Sequence, residues 1–135
     1  SVKKGENFLL LIQQGKHLSI QSPVSGIIRE NNIKLSSNSS IINSDPYAEG
    51  WIYVIETANW LKDMMAFIMG DIYKAWLKNE FLRLKDFLSS VIKPEQQKQL
   101  QFVMQEGGEL KESILEMFGP EIWEEFQIRF INKPQ

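Results

Sequence analysis

The chain has 135 residues, enough for one domain or for two small units sharing a core. A formal net charge of −2 gives no sign of a nucleic-acid binder. The absence of cysteine excludes disulfides, thiolate metal sites and cysteine nucleophiles, and no apolar run approaches the ~18 residues a membrane span needs. The first residues, Ser1-Val2-Lys3-Lys4-Gly5-Glu6, carry no initiator methionine and no signal-peptide pattern, so the chain reads as entered in mid-structure. We expect a cytoplasmic protein, to which an upstream targeting or anchoring segment could have been joined.

From residue 1 to about 57 the pattern is that of β structure. Phe8-Leu9-Leu10-Leu11-Ile12 is long enough for one buried strand, and His17-Leu18-Ser19-Ile20-Gln21-Ser22 alternates as a half-buried strand does. Between them Gln13-Gln14-Gly15-Lys16 reads as a hairpin tip. Pro23-Val24-Ser25-Gly26 predicts a turn, and Ile27-Ile28-Arg29-Glu30 resumes a strand. The run of serines and asparagine at 36–40 is a polar loop. Asp45-Pro46-Tyr47-Ala48-Glu49-Gly50 is a further turn, leading into a strand over Trp51-Ile52-Tyr53-Val54-Ile55. Short strands with frequent turns point to a small barrel or sandwich.

After Thr57 the period changes. Leu61, Met64/Met65, Ile68, Ile72, Ala75/Trp76, Phe81, Leu84, Phe87/Leu88 and Val91 fall at helical spacing, with Gly70 placed to bend or break the run and Pro94 to end it. Three shorter helices are expected to follow, over about 94–105, 109–118 and 120–131, with Pro94 and Pro120 in first-turn positions.

The most informative motifs lie in the first half. Pro23-Val24-Ser25-Gly26 is followed by Asn32 and Leu35. Then come Asn43, Asp45-Pro46-Tyr47 and Glu49-Gly50-Trp51, and Lys4-Gly5-Glu6 precedes them all. Together these resemble the second half of the glycine-cleavage H-protein, over roughly residues 3–56. The resemblance implies a barrel-sandwich hybrid, a flattened β-barrel that presents lipoyl-lysine on a hairpin. In that family the lysine stands eight residues before the proline. Counting back from Pro23 puts Gly15 at that position, and Ile12 where the family has an acidic residue; Lys16 is one residue late. A one-residue slip matters because alternate strand residues face opposite sides and a tight tip aims a single side chain along the hairpin axis. A different loop length would bring Lys16 back to the tip, so Lys16 stays as the alternative attachment point.

The N-terminal half that closes the family's barrel is not represented in the motifs. A half-barrel exposes strand edges that an upstream segment, the helical region or a second copy must cover. Because the lipoyl fold has quasi-two-fold internal symmetry, a homodimer could complete the barrel.

Other constellations carry less. His17 is the only histidine, and a lone histidine beside a lysine is a solvent-exposed residue far more often than a catalytic one. Asp45 and Glu49 resemble an acid/base pair but belong to the turn before Trp51, with Asp45 expected on nearby backbone N–H groups. Trp60, Trp76, Phe81 and Phe87 with Met64, Met65 and Met69 read as helix core packed on the β unit rather than as a binding groove. Lys74, Lys78, Arg83 and Lys85 interleave with Asp71, Glu80 and Asp86, as on a solvated helix face. Glu106 to Glu125 holds seven acids against Lys111 alone, with an apolar face that could dock on a basic partner.

The expected fold is α+β: a partial barrel-sandwich hybrid at 1–57 followed by a helical tail at 58–135. The expected function is a non-enzymatic, non-lipoylated H-protein-like module for binding or assembly with protein partners. We expect no catalytic residue, no metal, no cofactor, no nucleic acid and no membrane segment. The alternative is a lipoyl carrier of a glycine-cleavage-like system with lipoate on Lys16.

Overall fold

The computed structural model describes residues 1–95 and 114–132. In chain order it contains strands β1 (Asn7–Gln13), β2 (Lys16–Gln21) and β3 (Gly26–Asn31), then a 3-10 turn (Ile33–Ser36) and the short helix α1 (Ile41–Ser44). Strand β4 (Tyr53–Thr57) and helices α2 (Trp60–Met64) and α3 (Gly70–Val91) follow. After them come a 3-10 turn (Ile114–Met117), helix α4 (Pro120–Phe126) and a π-helical turn (Gln127–Ile131). The fold is α+β. Among the described residues β1 pairs with β2 and β3 with β4, giving two two-stranded sheets that do not close into a barrel. No described helix is long and apolar enough to cross a membrane.

The chain forms two compact units. One joins Ser1–Phe8 to Gln21–Phe67; the other joins Leu9–Ile20 to the chain from Ile68 onward.

In the first unit, β3 and β4 run antiparallel with Gly26 opposite Thr57, Ile28 opposite Ile55 and Asn31 opposite Tyr53; a bulge falls between Ile28 and Glu30. Val2 bridges Gly26 in both directions, its N–H donating at 2.8 Å and its carbonyl accepting at 2.9 Å. The Lys4-Gly5-Glu6 turn is tied to the proline turn: Gly5 N–H donates to Ser22 O (2.9 Å), Ser22 N–H to Glu6 O (2.9 Å) and Lys4 N–H to Ser25 Oγ (2.9 Å). Val2 and Val24 are buried under this knot, and Phe8 packs on Tyr53 at 5.5 Å between ring centroids. Gly26 is required by space: a Cβ there would lie 2.2 Å from the Glu56 carbonyl oxygen.

The second unit is built on the C-terminal half of α3. Phe87, Leu88, Ile92, Ile114, Phe118 and Phe126 form its core, with Leu18, Leu84, Ile122 and Phe130 packed around it. Phe126 lies edge-on to Phe87 (5.6 Å) and stacks on Phe130 (4.8 Å). Arg83 holds the π-helical turn: it pairs with Glu80 at 2.6 Å, donates to the Phe130 carbonyl and sits 4.0 Å from that ring's centroid.

Several expectations need correction. The loop and turn between β3 and β4 contain two helical turns, at 33–36 and 41–44, each too short to show a period in the sequence. The last strand begins at Tyr53, not Trp51. In β1, expected as a buried strand, Leu10 and Ile12 are exposed. Of the aromatic and methionine residues expected in a helix core, Phe87 alone is buried; Trp60, Met65, Met69 and Trp76 are exposed. Helical spacing shows which residues share a face, and says nothing of what covers it. Of the three short helices, 120–131 is present as α4 and the π turn, and the second is described from Ile114 onward, as a 3-10 turn. Nearly all of the first, and the acidic stretch before Ile114, lie outside the described residues.

Candidate functional site: the hairpin and its lysine

The β1–β2 connection has two residues. Gln14 (φ 48°) and Gly15 (φ 78°) both adopt left-handed backbone, the signature of a type I′ turn whose twist matches the flanking strands. Glycine takes this conformation at least cost, which accounts for Gly15 at the second central position. The tip of the hairpin is therefore Gln14-Gly15, and Lys16 is the first residue of β2.

Strand alternation turns Lys16 to the side where Leu18 joins the core. The Lys16 side chain is 5% exposed. Its Nζ donates to the Glu116 carbonyl oxygen at 2.9 Å and stands 5.1 Å from the centroid of the Trp123 ring. A buried ammonium needs such compensation, and a carbonyl together with an aromatic face supplies it. The Trp123 ring is held in place by its own indole N–H, which donates to the Leu115 carbonyl at 2.8 Å.

Other contacts bind the same segment to the hairpin. Gln13, on the other side of the turn, donates from Nε2 to Glu116 Oε1 at 2.8 Å. The Ser19 N–H donates to Gln127 Oε1 at 2.6 Å, so a backbone donor of β2 is satisfied by a side chain from the chain end. His17 is exposed; with Gly15, Ser19, Pro120, Glu124 and Gln127 it lines a shallow pocket of about 300 Å³. The residues that bury Lys16 lie about a hundred positions along the chain, and no local pattern could have revealed them.

The turn residues act structurally. Asp45 Oδ2 accepts from the Glu49 N–H (3.0 Å) and the Asp45 carbonyl from the Gly50 N–H (2.8 Å), while the Glu49 carboxylate pairs with Lys34. Asn32 is buried and donates from Nδ2 to the carbonyls of Glu49 and Trp51, both at 2.8 Å. Its Oδ1 accepts from Lys34 N–H at 3.1 Å. Asn32 thus holds the whole loop onto the start of β4. Of the pairing expected on a solvated face of α3, Asp71 with Lys74 (3.8 Å) is exposed, whereas Glu80 and Arg83 pair with side chains only 14% and 19% exposed, because Phe130 lies against the guanidinium.

The sequence that builds these turns and the hairpin is similar to that of known proteins. A family model described as "Glycine cleavage H-protein" matches residues 1–80, so the similarity runs past the motifs and through α2 into α3. The "Glycine cleavage system H protein" of Anaeromyxobacter sp. (strain K) is 37% identical over 79 residues, covering 58% of this chain and 61% of that protein. That of Coprothermobacter proteolyticus is 45% identical over 58 residues, covering 43% of this chain and 46% of that protein. The "Probable glycine cleavage system H protein 1" of Saccharolobus solfataricus is 44% identical over 57 residues, covering 42% of each chain. The chain spans about three fifths or less of the length of these curated relatives. It belongs to the glycine cleavage H-protein family.

Proposed function

We propose that this protein is a non-enzymatic member of its family, one that serves as a binding and assembly module and carries no lipoyl group. The carrying observation is at the hairpin. Its tip residues, Gln14 and Gly15, offer no amine, and the one amine beside them, on Lys16, is buried with its charge compensated by Glu116 and Trp123. A lipoate-attaching enzyme needs a nucleophilic amine that it can reach. The test is to incubate the folded protein with such an enzyme, ATP and lipoate, with a conventional H-protein as positive control. An unchanged intact mass is expected, and a gain of one lipoyl group located at Lys16 would overturn the proposal.

Family membership favours one second reading. In it the chain is a lipoyl carrier of a glycine-cleavage-like system with its arm on Lys16, and the same experiment separates the two.

For partners we propose other proteins, beginning with a second copy of this chain pairing along the open sheets. Two features support this: each sheet has two strands, and Ile27, Ile28 and Val54 on β3 and β4 are exposed. Sedimentation of the full chain across a range of concentrations should show a dimer. A monomer mass independent of concentration would exclude this partner. We also propose a cytoplasmic location.

A further inference from the structure

The Lys16 ammonium is made of interactions that a modified lysine could not keep. It donates a hydrogen bond to a carbonyl and places positive charge on an indole face, in a site that leaves the residue 5% exposed. Acylation would remove the charge, leave one N–H and add an acyl group to an amine whose residue is 5% exposed. The segment that surrounds the amine is also fastened to the hairpin at Gln13 and at Ser19, on either side of Lys16.

We propose that Ile114–Ile131 is a latch closed over the hairpin with the Lys16 ammonium as its bolt, so that a closed latch and an acylated Lys16 exclude one another. The inference deepens the unlipoylated reading and rests on it, since it gives the reason the amine is out of reach. Linkage makes the relation reciprocal: whatever opens the latch exposes the amine, and whatever acylates the amine holds the latch open. The latch belongs to the class of autoinhibitory contacts. Around the amine the latch can part locally: Glu116, Glu124 and Glu125 are exposed, and apart from Leu18, which packs against the core, the hairpin is held by polar contacts at Gln13, Lys16 and Ser19.

The probe is an N-hydroxysuccinimide acetate ester applied briefly to the full-length protein, with each lysine's acetylation followed by peptide mass spectrometry. In the reaction the Nζ–acyl bond forms and the ester C–O bond breaks. N-hydroxysuccinimide leaves with the electron pair, and two protons pass from the ammonium to solvent. Lys74, whose side chain is 83% exposed, is the internal reference. Lys16 is expected to react at least about tenfold more slowly than Lys74, the ratio reporting the closed fraction of the latch. Equal rates would overturn the proposal.

A Trp123→Ala variant should bring Lys16 close to the Lys74 rate, and an unchanged Lys16 rate would also overturn it. Because removing that ring could unfold the second unit, Gln127→Ala is the companion variant, leaving the Phe87 and Phe126 core intact. It should speed both Lys16 acetylation and Ser19 amide exchange, each by about threefold, through easier local opening. No change in either would sever the coupling. A lipoyl group on the native protein would end the unlipoylated reading alone, whereas the reactivity ratio judges the latch.

Discussion

Truncating Phe126 to alanine is expected to destabilise the second unit by about 3–5 kcal/mol, the range for removing a buried phenylalanine. The ring is 7% exposed, meets Phe87 edge-on and stacks on Phe130, and sits among Leu88, Ile114 and Phe118. Its loss would leave a cavity between α3 and α4. Two adjoining anchors, Trp123 over Lys16 and Gln127 on Ser19, flank Phe126 in the chain. The fall in urea midpoint should therefore come with faster amide exchange at Ser19, since the side chain that accepts its N–H loses its support. A loss of less than about 1 kcal/mol would mean that the ring is not the keystone of this core.

Replacing Gly26 with alanine is expected to cost about 3 kcal/mol in the first unit, the upper end of the range for overpacking. The added Cβ would stand 2.2 Å from the Glu56 carbonyl oxygen and 3.0 Å from the Ile55 Cγ2. A side chain could rotate away, but a backbone carbonyl within a strand cannot. β3 would have to retreat from β4, straining the paired hydrogen bonds between Gly26 and Val2. Amide exchange along β4 and the urea midpoint both read the effect. Gly119→Ala is the matched control: nothing lies within 4 Å of a Cβ there, so a change within about 0.5 kcal/mol is expected. Equal stability of the two variants would contradict the β3–β4 register.

The parts of the fold that the sequence carries are those set by local chemistry. The four strands, the glycine-bearing hairpin and the break at Gly70 follow from alternation, turn residues and helical period. Pro23-Val24-Ser25-Gly26 and the Asp45 to Trp51 run point to a family that the comparison over residues 1–80 shows, and Asp45 caps a backbone N–H as expected of a turn aspartate. Asn32 stands in the motif, but its tether to two carbonyls 17 and 19 residues away is a tertiary contact that no local pattern encodes.

What the sequence could not carry is coverage. The spacing from Pro23 placed Gly15 at the tip, but the burial of Lys16 depends on Glu116 and Trp123, at the far end of the chain. The same limit explains α3, where one apolar stripe continues from Ile72 to Val91. Its C-terminal part is covered by Ile114, Phe118 and Phe126, while Ile72, Tyr73, Trp76 and Leu77 are exposed. Periodicity reads alike along both stretches.

Whether this family member works without a lipoyl arm is decided by the intact mass of the protein purified from lipoate-replete cells of its source. We predict a mass equal to that of the unmodified chain. An increment of one lipoyl group mapped to Lys16 would make the protein a carrier and overturn the unlipoylated reading.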